Sequence, residues 1–154
     1  MQVSEILGLK GKTLFTVTPD TMLSECVIVM AEQDIGSLVV MDSGRLAGVL
    51  TFREVLRVLA KRQVEQRSGP TKPVADIVVR DVMVPDPQVV TPTTDVNELR
   101  RVMLDTHTRY VPVMDGETLM GLVSFHDVAR AVLEEQSFEN RMLKAYIRDW
   151  PAEG

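Results

Sequence analysis

Two seven-residue stretches determine how this chain folds: Gly48-Val49-Leu50-Thr51-Phe52-Arg53-Glu54 and Gly121-Leu122-Val123-Ser124-Phe125-His126-Asp127. They lie 73 residues apart, and the same offset aligns Val17-Thr18-Pro19 with Val90-Thr91-Pro92 without a gap. Self-similarity at a fixed offset indicates an internal duplication. We therefore expect two copies of one structural unit.

Each copy has the same pattern of predicted elements. A short apolar strand ends at Thr-Pro, a helix with apolar residues at helical spacing follows, and then come two strands joined by a turn and a second helix. The pattern predicts helices over 21–33, 52–64, 94–106 and from 125 onward, and strands over 37–41, 46–50, 110–114 and 119–123. This order indicates an α+β (α/β-like) fold of two β-α-β-β-α repeats related by pseudo-twofold symmetry.

The predicted domain boundaries follow from composition. Residues 1–65 form the first repeat, the polar, turn-rich segment 66–75 is a linker, and residues 76–150 form the second repeat with a C-terminal helix. A half of about 60 residues would bury only about 60% of its unfolded-chain surface, so we expect the repeats to share an interface and form one module. The C-terminal helix carries apolar residues every three or four positions: Phe138, Met142, Leu143, Tyr146, Ile147 and Trp150. With the apolar face of the helix from Phe52, this stripe predicts a homodimer.

Composition excludes several classes of function. The 17 basic and 22 acidic residues give a net charge of −5, which argues against a general nucleic-acid binder. The apolar runs are too short for a membrane helix, which needs about 20 residues. A single cysteine, Cys26, and two histidines cannot form an internal disulfide or an all-Cys/His zinc site. We expect a cytoplasmic protein without a metal site.

The duplicated stretches resemble CBS domains, the small modules named after cystathionine beta-synthase. The resemblance spans about Val3 to Trp150 and rests on the two Gly-apolar-apolar-Ser/Thr-x-x-acid stretches, on Asp81-Val82-Met83 and on the strand Val111 to Asp115. It implies an energy-sensing, regulatory module, usually a disc-shaped homodimer, that binds AMP, ADP, ATP, an NAD-type dinucleotide or S-adenosylmethionine in clefts between the repeats. AMP or ATP is the expected regulatory ligand, no catalytic cofactor is expected, and the regulated effector protein would act in trans.

The serine and the acid of the second stretch have two interpretations. After a strand and at the start of a helix, Ser124 and Asp127 would place a hydroxyl, a carboxylate and the helix amides at one point, suited to a phosphate oxygen and both ribose hydroxyls. The same spacing is also a capping box that needs no ligand. Glu is the better capping acid and the family pattern has Asp, so Thr51 and Glu54 favour a cap, whereas Ser124 and Asp127 favour a ligand.

The resemblance also implies which residues face these stretches. Each pocket of the family takes its ribose acid from one repeat and its adenine-contacting segment from the other. By matching position, Ser124 and Asp127 should face Lys12, Thr13, Ile35, Gly36 and Ser37, while Thr51 and Glu54 should face Met83, Val84, Thr108, Arg109 and Tyr110. The cationic residues expected near phosphates are Arg53, Arg57, Arg109, His126 and Arg130.

Two alternatives to a nucleotide sensor stay open at this point. One is a ligand-free dimerisation or assembly module in which both Ser/Thr-x-x-acid stretches are only helix caps. The other, ranked last, is an enzyme that uses Asp127 and His126, because the sequence offers no nucleophile, metal-ligand set or second acid at a recognisable spacing. We therefore expect no catalytic residue.

Overall fold

The computed structural model describes residues 1–10, 14–67, 69–70 and 73–148. Its elements are α1 (Val3–Lys10), β1 (Thr16–Val17), α2 (Leu23–Gln33), β2 (Ser37–Asp42), β3 (Arg45–Thr51), α3 (Phe52–Gln66), β4 (Val84–Pro85), α4 (Val96–Thr106), β5 (Tyr110–Asp115), β6 (Thr118–Ser124) and α5 (Phe125–Arg148). Of two short 3-10 helices, Val74–Asp76 overlaps the end of the predicted linker and Val79–Asp81 follows it. The two-repeat α+β fold predicted from the sequence is confirmed.

The two hairpins are nearly identical copies. Both β2–β3 and β5–β6 are antiparallel, and both shift register one step after the same repeat position, at Val40 and at Val113. In the first turn Ser43 and Gly44 both have positive φ, whereas in the second only Gly116 does. These values are typical of type I′ and type II′ turns, whose twist matches that of the flanking strands.

Two features of the fold differ from the sequence prediction. The helix α1 was not predicted, and the first strand of the second repeat is reduced to a single parallel bridge between Val90 and Val113. Instead, β4 from the second repeat pairs with β3, so the first sheet has the order β1-β2-β3-β4. The linker residues Ser68, Thr71 and Lys72, and Trp150 at the expected end of the C-terminal helix, lie outside the described residues.

The repeats exchange their N-terminal segments. Val3 and Ile6 of α1 are buried in the core built by α4, β5, β6 and α5. In return Val79, after the linker, is fully buried in the core built by α2, β2 and β3. Each core therefore contains residues of both repeats, so neither repeat has a complete core of its own.

The hydrogen bonds of the exchange reveal an insertion. The Val3 amide donates to the Thr94 carbonyl at 2.9 Å, and the Val79 amide donates to the Thr21 carbonyl at 2.9 Å. These donors are 76 residues apart, whereas their acceptors keep the repeat offset of 73. Between the exchanged segment and the first strand, the first repeat thus has three more residues than the second repeat has. This difference falls after the end of α1.

Within the described residues, no helix has the length and apolar character to cross a membrane. Cys26 is buried in the first core, and burial raises the pKa of its thiol to about 11, so it is a neutral core residue at physiological pH.

The close approach of β4 to β3 predicts a difference between two equivalent glycines. A Cβ at Gly48 would lie 2.6 Å from the Val84 carbonyl oxygen, a backbone atom, whereas a Cβ at Gly121 would meet only the Leu7 side chain, nearest at Cδ2, 2.8 Å away. We expect Gly48→Ala to lower the free energy of unfolding by about 1–3 kcal/mol, the usual cost of overpacking. Gly121→Ala should cost clearly less, because the leucine can rotate. Denaturant unfolding of both variants measures this, and equal losses would contradict the strand approach described here.

Candidate functional site

A large cleft opens between the two repeats beside Asp127; we call it the Asp127 cleft. It encloses about 1020 Å³, a volume at the upper end of the range of small-molecule sites. Its walls are formed by Lys10, Leu14, Phe15, Gln33, Asp34, Ile35, Gly36, Ser37, Arg53, Met103, Leu104, His107, Thr108, Arg109, Tyr110, Leu122, Ser124, Phe125, His126, Asp127 and Ala129. Both repeats contribute to it, so a ligand here would touch both.

Ser124 and Asp127 form a reciprocal capping box at the start of α5. The Asp127 amide donates to Ser124 Oγ at 3.1 Å, and the Ser124 amide donates to Asp127 Oδ2 at 2.9 Å. The capping box, one of the two interpretations of Ser124 and Asp127, is therefore formed in the structure. It does not use the whole carboxylate, because Oδ1 accepts no hydrogen bond from any described residue.

Lys10, at the end of α1, pairs with this carboxylate. Its ammonium donates to Asp127 Oδ2 at 2.7 Å and to the Leu122 carbonyl at 2.5 Å. The side chains of Lys10 and Asp127 are 32% and 19% exposed, so the pair lies at the cleft wall rather than on an open surface. The N-terminal helix of the first repeat thus reaches the acid of the second.

The ionisation of Asp127 reflects these contacts. Burial alone raises the pKa of the carboxyl group, but the hydrogen bonds from Lys10 and Ser124 and the lysine charge outweigh burial, so the pKa lies below its ordinary value. Asp127 is therefore a carboxylate at neutral pH. With Oδ2 occupied, Oδ1 is the oxygen that can accept a ligand donor.

The second cleft, which we call the Glu54 cleft, is smaller, at about 420 Å³. It is lined by Val49, Thr51, Phe52, Arg53, Glu54, Leu56, Arg57, Val84, Pro87, Gln88, Thr108, Arg109 and Tyr110. Here the Thr51 hydroxyl donates to both Glu54 oxygens at 2.9 Å, and Thr51 Oγ1 accepts from the Arg53 amide at 3.2 Å. Glu54 is only 5% exposed, so its carboxylate is directed at its own helix cap rather than into the cleft.

The two clefts share a wall made of Arg53, Thr108, Arg109 and Tyr110. The Arg53 guanidinium donates to the His107 carbonyl of the other repeat at 2.7 Å. Tyr110 packs so closely over Gly36 that any Cβ at position 36 would collide with the phenol. Burial also raises the pKa of Tyr110, so the phenol stays protonated and neutral in this partition.

The structure brings together most of the residues expected around each acid. Ile35, Gly36 and Ser37 line the Asp127 cleft, with His126 beside them. Val84 and the residues 108–110 line the Glu54 cleft, and 108–110 also reach the Asp127 cleft. Lys12 and Thr13, expected opposite Ser124 and Asp127, lie outside the described residues.

Two expected site residues are elsewhere. Met83 does not line the Glu54 cleft, because its side chain packs over Gly48 and against the first core. Arg130 is one helical turn beyond the Asp127 cleft and pairs with Glu134 at 3.3 Å on the exposed side of α5. Its i,i+4 spacing to an acid was the available signal that it would be a surface pair.

Lys10 is the site residue that sequence reasoning missed. An alignment at an offset of 73 has no counterpart for a helix before the first strand, so it does not point to the end of α1. Matching Asp81-Val82-Met83 to Glu5-Ile6-Leu7 would have exposed the three extra residues and a lysine next to them. Among the described residues, no group of three or more His, Cys, Asp or Glu side chains could hold a metal ion.

Comparison with known proteins gives a consistent picture. The family model described as CBS domain matches residues 3–61 and 79–134. The CBS domain-containing protein CBSX3, mitochondrial, of Arabidopsis thaliana is 34% identical over 154 residues, covering 95% of this chain and 71% of that protein.

Solved structures agree with this match. The CBS-domain containing protein ATU1752 from Agrobacterium tumefaciens has 25% identity and a TM-score of 0.75, with 85% of this chain and 98% of that chain covered. CBSX2 of Arabidopsis thaliana, solved in complex with AMP, has 26% identity and a TM-score of 0.71, with 88% of this chain and 98% of that chain covered.

The lowered pKa of Asp127 predicts a pH dependence of stability. A carboxyl group whose pKa is lower in the folded state stabilises the fold above its unfolded-chain value of 3.8, and this contribution is lost as the pH falls through the folded-state pKa. We expect Asp127→Asn to lower the free energy of unfolding by about 1–2 kcal/mol at pH 7. The difference from the parent protein should shrink below about pH 4.

Denaturant titrations at several pH values measure this difference. Asp20→Asn is the matched control, because Asp20 pairs with Arg80 on the exposed surface and should matter by less than about 0.5 kcal/mol at any pH. A loss in Asp127→Asn that stays constant down to pH 2 would contradict the ionic contribution.

Proposed function

The chain belongs to the CBS domain family, and from this premise we propose that it is a regulatory module that senses an adenosine-containing nucleotide in the Asp127 cleft. The observation that carries the proposal is the ionised carboxylate of Asp127 on the wall of a large cleft that both repeats line. Among the described residues, the Lys10 ammonium and the Ser124 amide both donate to its Oδ2 and not to Oδ1. AMP is the ligand we propose first, since the similar protein CBSX2 was solved in complex with AMP.

The lining of the Asp127 cleft fits the three parts of such a ligand. Asp127 would accept from the ribose hydroxyls, and the side chains of Arg53 and Arg109 offer cationic donors to phosphate. Apolar residues of both repeats, among them Ile35 and Leu122, can enclose a purine ring. Residues 35–37 line the same cleft, and their backbone groups would bind the edge of the purine.

The capping box does not exclude this role. The backbone hydrogen bonds of the cap use Oδ2 and the Ser124 hydroxyl oxygen and do not use Oδ1, and Asp127 lines the cleft. Glu54 is different, because its two oxygens both face Thr51. We therefore propose the Asp127 cleft as the nucleotide site and the Thr51–Glu54 pair as a structural cap.

Regulation would follow from the position of the cleft. A ligand that touches both repeats favours one relative arrangement of them, and its effect is limited to its difference in affinity for the two arrangements, typically about 1–3 kcal/mol. We propose a non-catalytic module that passes this change to an effector protein in trans. The cytoplasmic location and the role in energy sensing stay predictions.

The exposed apolar faces support the predicted homodimer. On α3 the large exposed apolar side chains are Phe52, Leu56, Leu59 and Val64. On α5, beyond Phe125 at the Asp127 cleft, they are Leu133, Phe138, Met142, Leu143, Tyr146 and Ile147. Such contiguous apolar faces usually mark an interaction surface. We propose that a second copy of the chain covers them.

Ligand binding is tested by thermal unfolding with AMP, ADP, ATP, NADH or S-adenosylmethionine at millimolar concentration. A ligand present at one hundred times its dissociation constant should stabilise the fold by about 2.7 kcal/mol. Asp127→Ala should lose most of that increase relative to its own ligand-free baseline. Glu54→Ala should unfold at a lower temperature but keep the increase.

The two variants control for each other, because each removes the acid of one helix start. No stabilisation of the parent protein by any ligand of the panel would favour the assembly module instead. Equal loss of the ligand effect in both variants would contradict the assignment of different roles to the two acids.

The homodimer is tested by molecular mass in solution at micromolar concentration. We expect twice the chain mass, and Leu59→Glu or Leu143→Glu should give monomers because a charge on the covered face would be desolvated. Ile28→Glu is the control, since Ile28 is about as exposed as Leu59 and Leu143 but lies on α2, which carries neither face. A monomeric parent protein would refute the dimer.

A further inference from the structure

Lys10 has one hydrogen-bond donor to spare, and it points to a role beyond pairing with Asp127. An ammonium group has three donors. Two are used by the Leu122 carbonyl and by Asp127 Oδ2, and no described residue accepts the third. Because Lys10 lines the Asp127 cleft, this donor is available to a ligand.

Asp127 offers a hydrogen-bond acceptor that matches this donor. Its Oδ2 accepts from both Lys10 and Ser124, whereas Oδ1 accepts from no described residue. One donor of Lys10 Nζ and the acceptor Asp127 Oδ1, neither of them bonded to another described residue, thus lie on two side chains that are bonded to each other. A hydroxyl group is the ligand group that satisfies both, because it accepts and donates at once.

The position of Lys10 is fixed by the core and not by a loop. Val3 and Ile6, on the same short helix, are fully or almost fully buried against the second repeat. The helix ends at Lys10, and the carbonyl of Leu122 anchors the ammonium to β6. A polar group held in this way is preorganised, so little conformational entropy is lost when it binds a ligand.

We infer that Lys10 is a ligand-binding residue that determines specificity: it donates a hydrogen bond to the ribose hydroxyl that itself donates to Asp127 Oδ1. This inference rests on the proposed nucleotide site. The lysine and the acid together then select a ribonucleotide over the analogue that lacks that hydroxyl.

The test is calorimetric titration with AMP, 2′-deoxy-AMP and 3′-deoxy-AMP. We expect the parent protein to bind AMP about tenfold more tightly than at least one deoxy analogue, a typical effect of one hydrogen bond to a charged group. Lys10→Met, which keeps the length of the stem, should weaken AMP binding about tenfold. It should leave the affinity for that deoxy analogue unchanged, so that the selectivity disappears.

Lys61→Met is the matched control, because Lys61 is an exposed lysine on α3 whose nearest acid, Glu65, is 3.8 Å away. It should bind all three nucleotides like the parent protein. If Lys10→Met does not unfold cooperatively, Lys10→Ala replaces it, because alanine also lacks a donor and is the best helix former, and it should show the same loss of selectivity.

Each remaining outcome overturns the inference. Unchanged AMP binding in Lys10→Met would show that the spare donor is not used. An equal loss for AMP and both deoxy analogues would make Lys10 a structural residue only, and tighter AMP binding would mean that lysine and ligand compete for the acid. If the parent protein binds none of the three nucleotides or the earlier ligand panel, the proposed function itself fails.

Discussion

The exchange of N-terminal segments between the repeats is the constraint on which the rest of the structure depends. Burying Val3 and Ile6 in one core and Val79 in the other removes apolar surface that neither half could bury alone. Because the same exchange is held by backbone hydrogen bonds on both sides, it fixes the two repeats relative to each other. The clefts that both repeats line are therefore a consequence of core packing.

The two repeats differ in structure beside the two clefts. In the first repeat the exchanged segment forms α1, whose last residue Lys10 reaches the Asp127 carboxylate, whereas the equivalent part of the second repeat forms β4 and covers Gly48. One acid thus faces an ammonium and a large cleft, and the other faces a threonine hydroxyl and a small one. A duplicated sequence has in this way produced two sites of different chemistry.

Much of the fold was predictable, because hydrophobic periodicity and turn residues are local signals. The hairpins around Ser43-Gly44 and Gly116 and the helices after each Thr-Pro begin and end within a few residues of the predicted bounds. The exchange was not predictable from periodicity, since α1 is short and its partners lie about 90 residues away in sequence. For the same reason the cleft residues from the hairpins were predicted, whereas Lys10 was missed and Met83 was placed in a cleft instead of against a core.

One carboxylate can serve both as a cap and as a ligand acceptor because its two oxygens are separate acceptors. The capping amide and the lysine hold Oδ2, so the orientation of Oδ1 is already fixed before a ligand arrives. The side-chain entropy of Asp127 is then lost during folding and not during binding, which leaves more of the ligand's hydrogen-bond energy for affinity. Lys10 at the end of α1 bonds to Oδ2, and α5 starts at the same capping box, so the carboxylate connects the two helices at the wall of the cleft. In the proposed function, the local cap is therefore the point at which a ligand in the cleft would act on both helices.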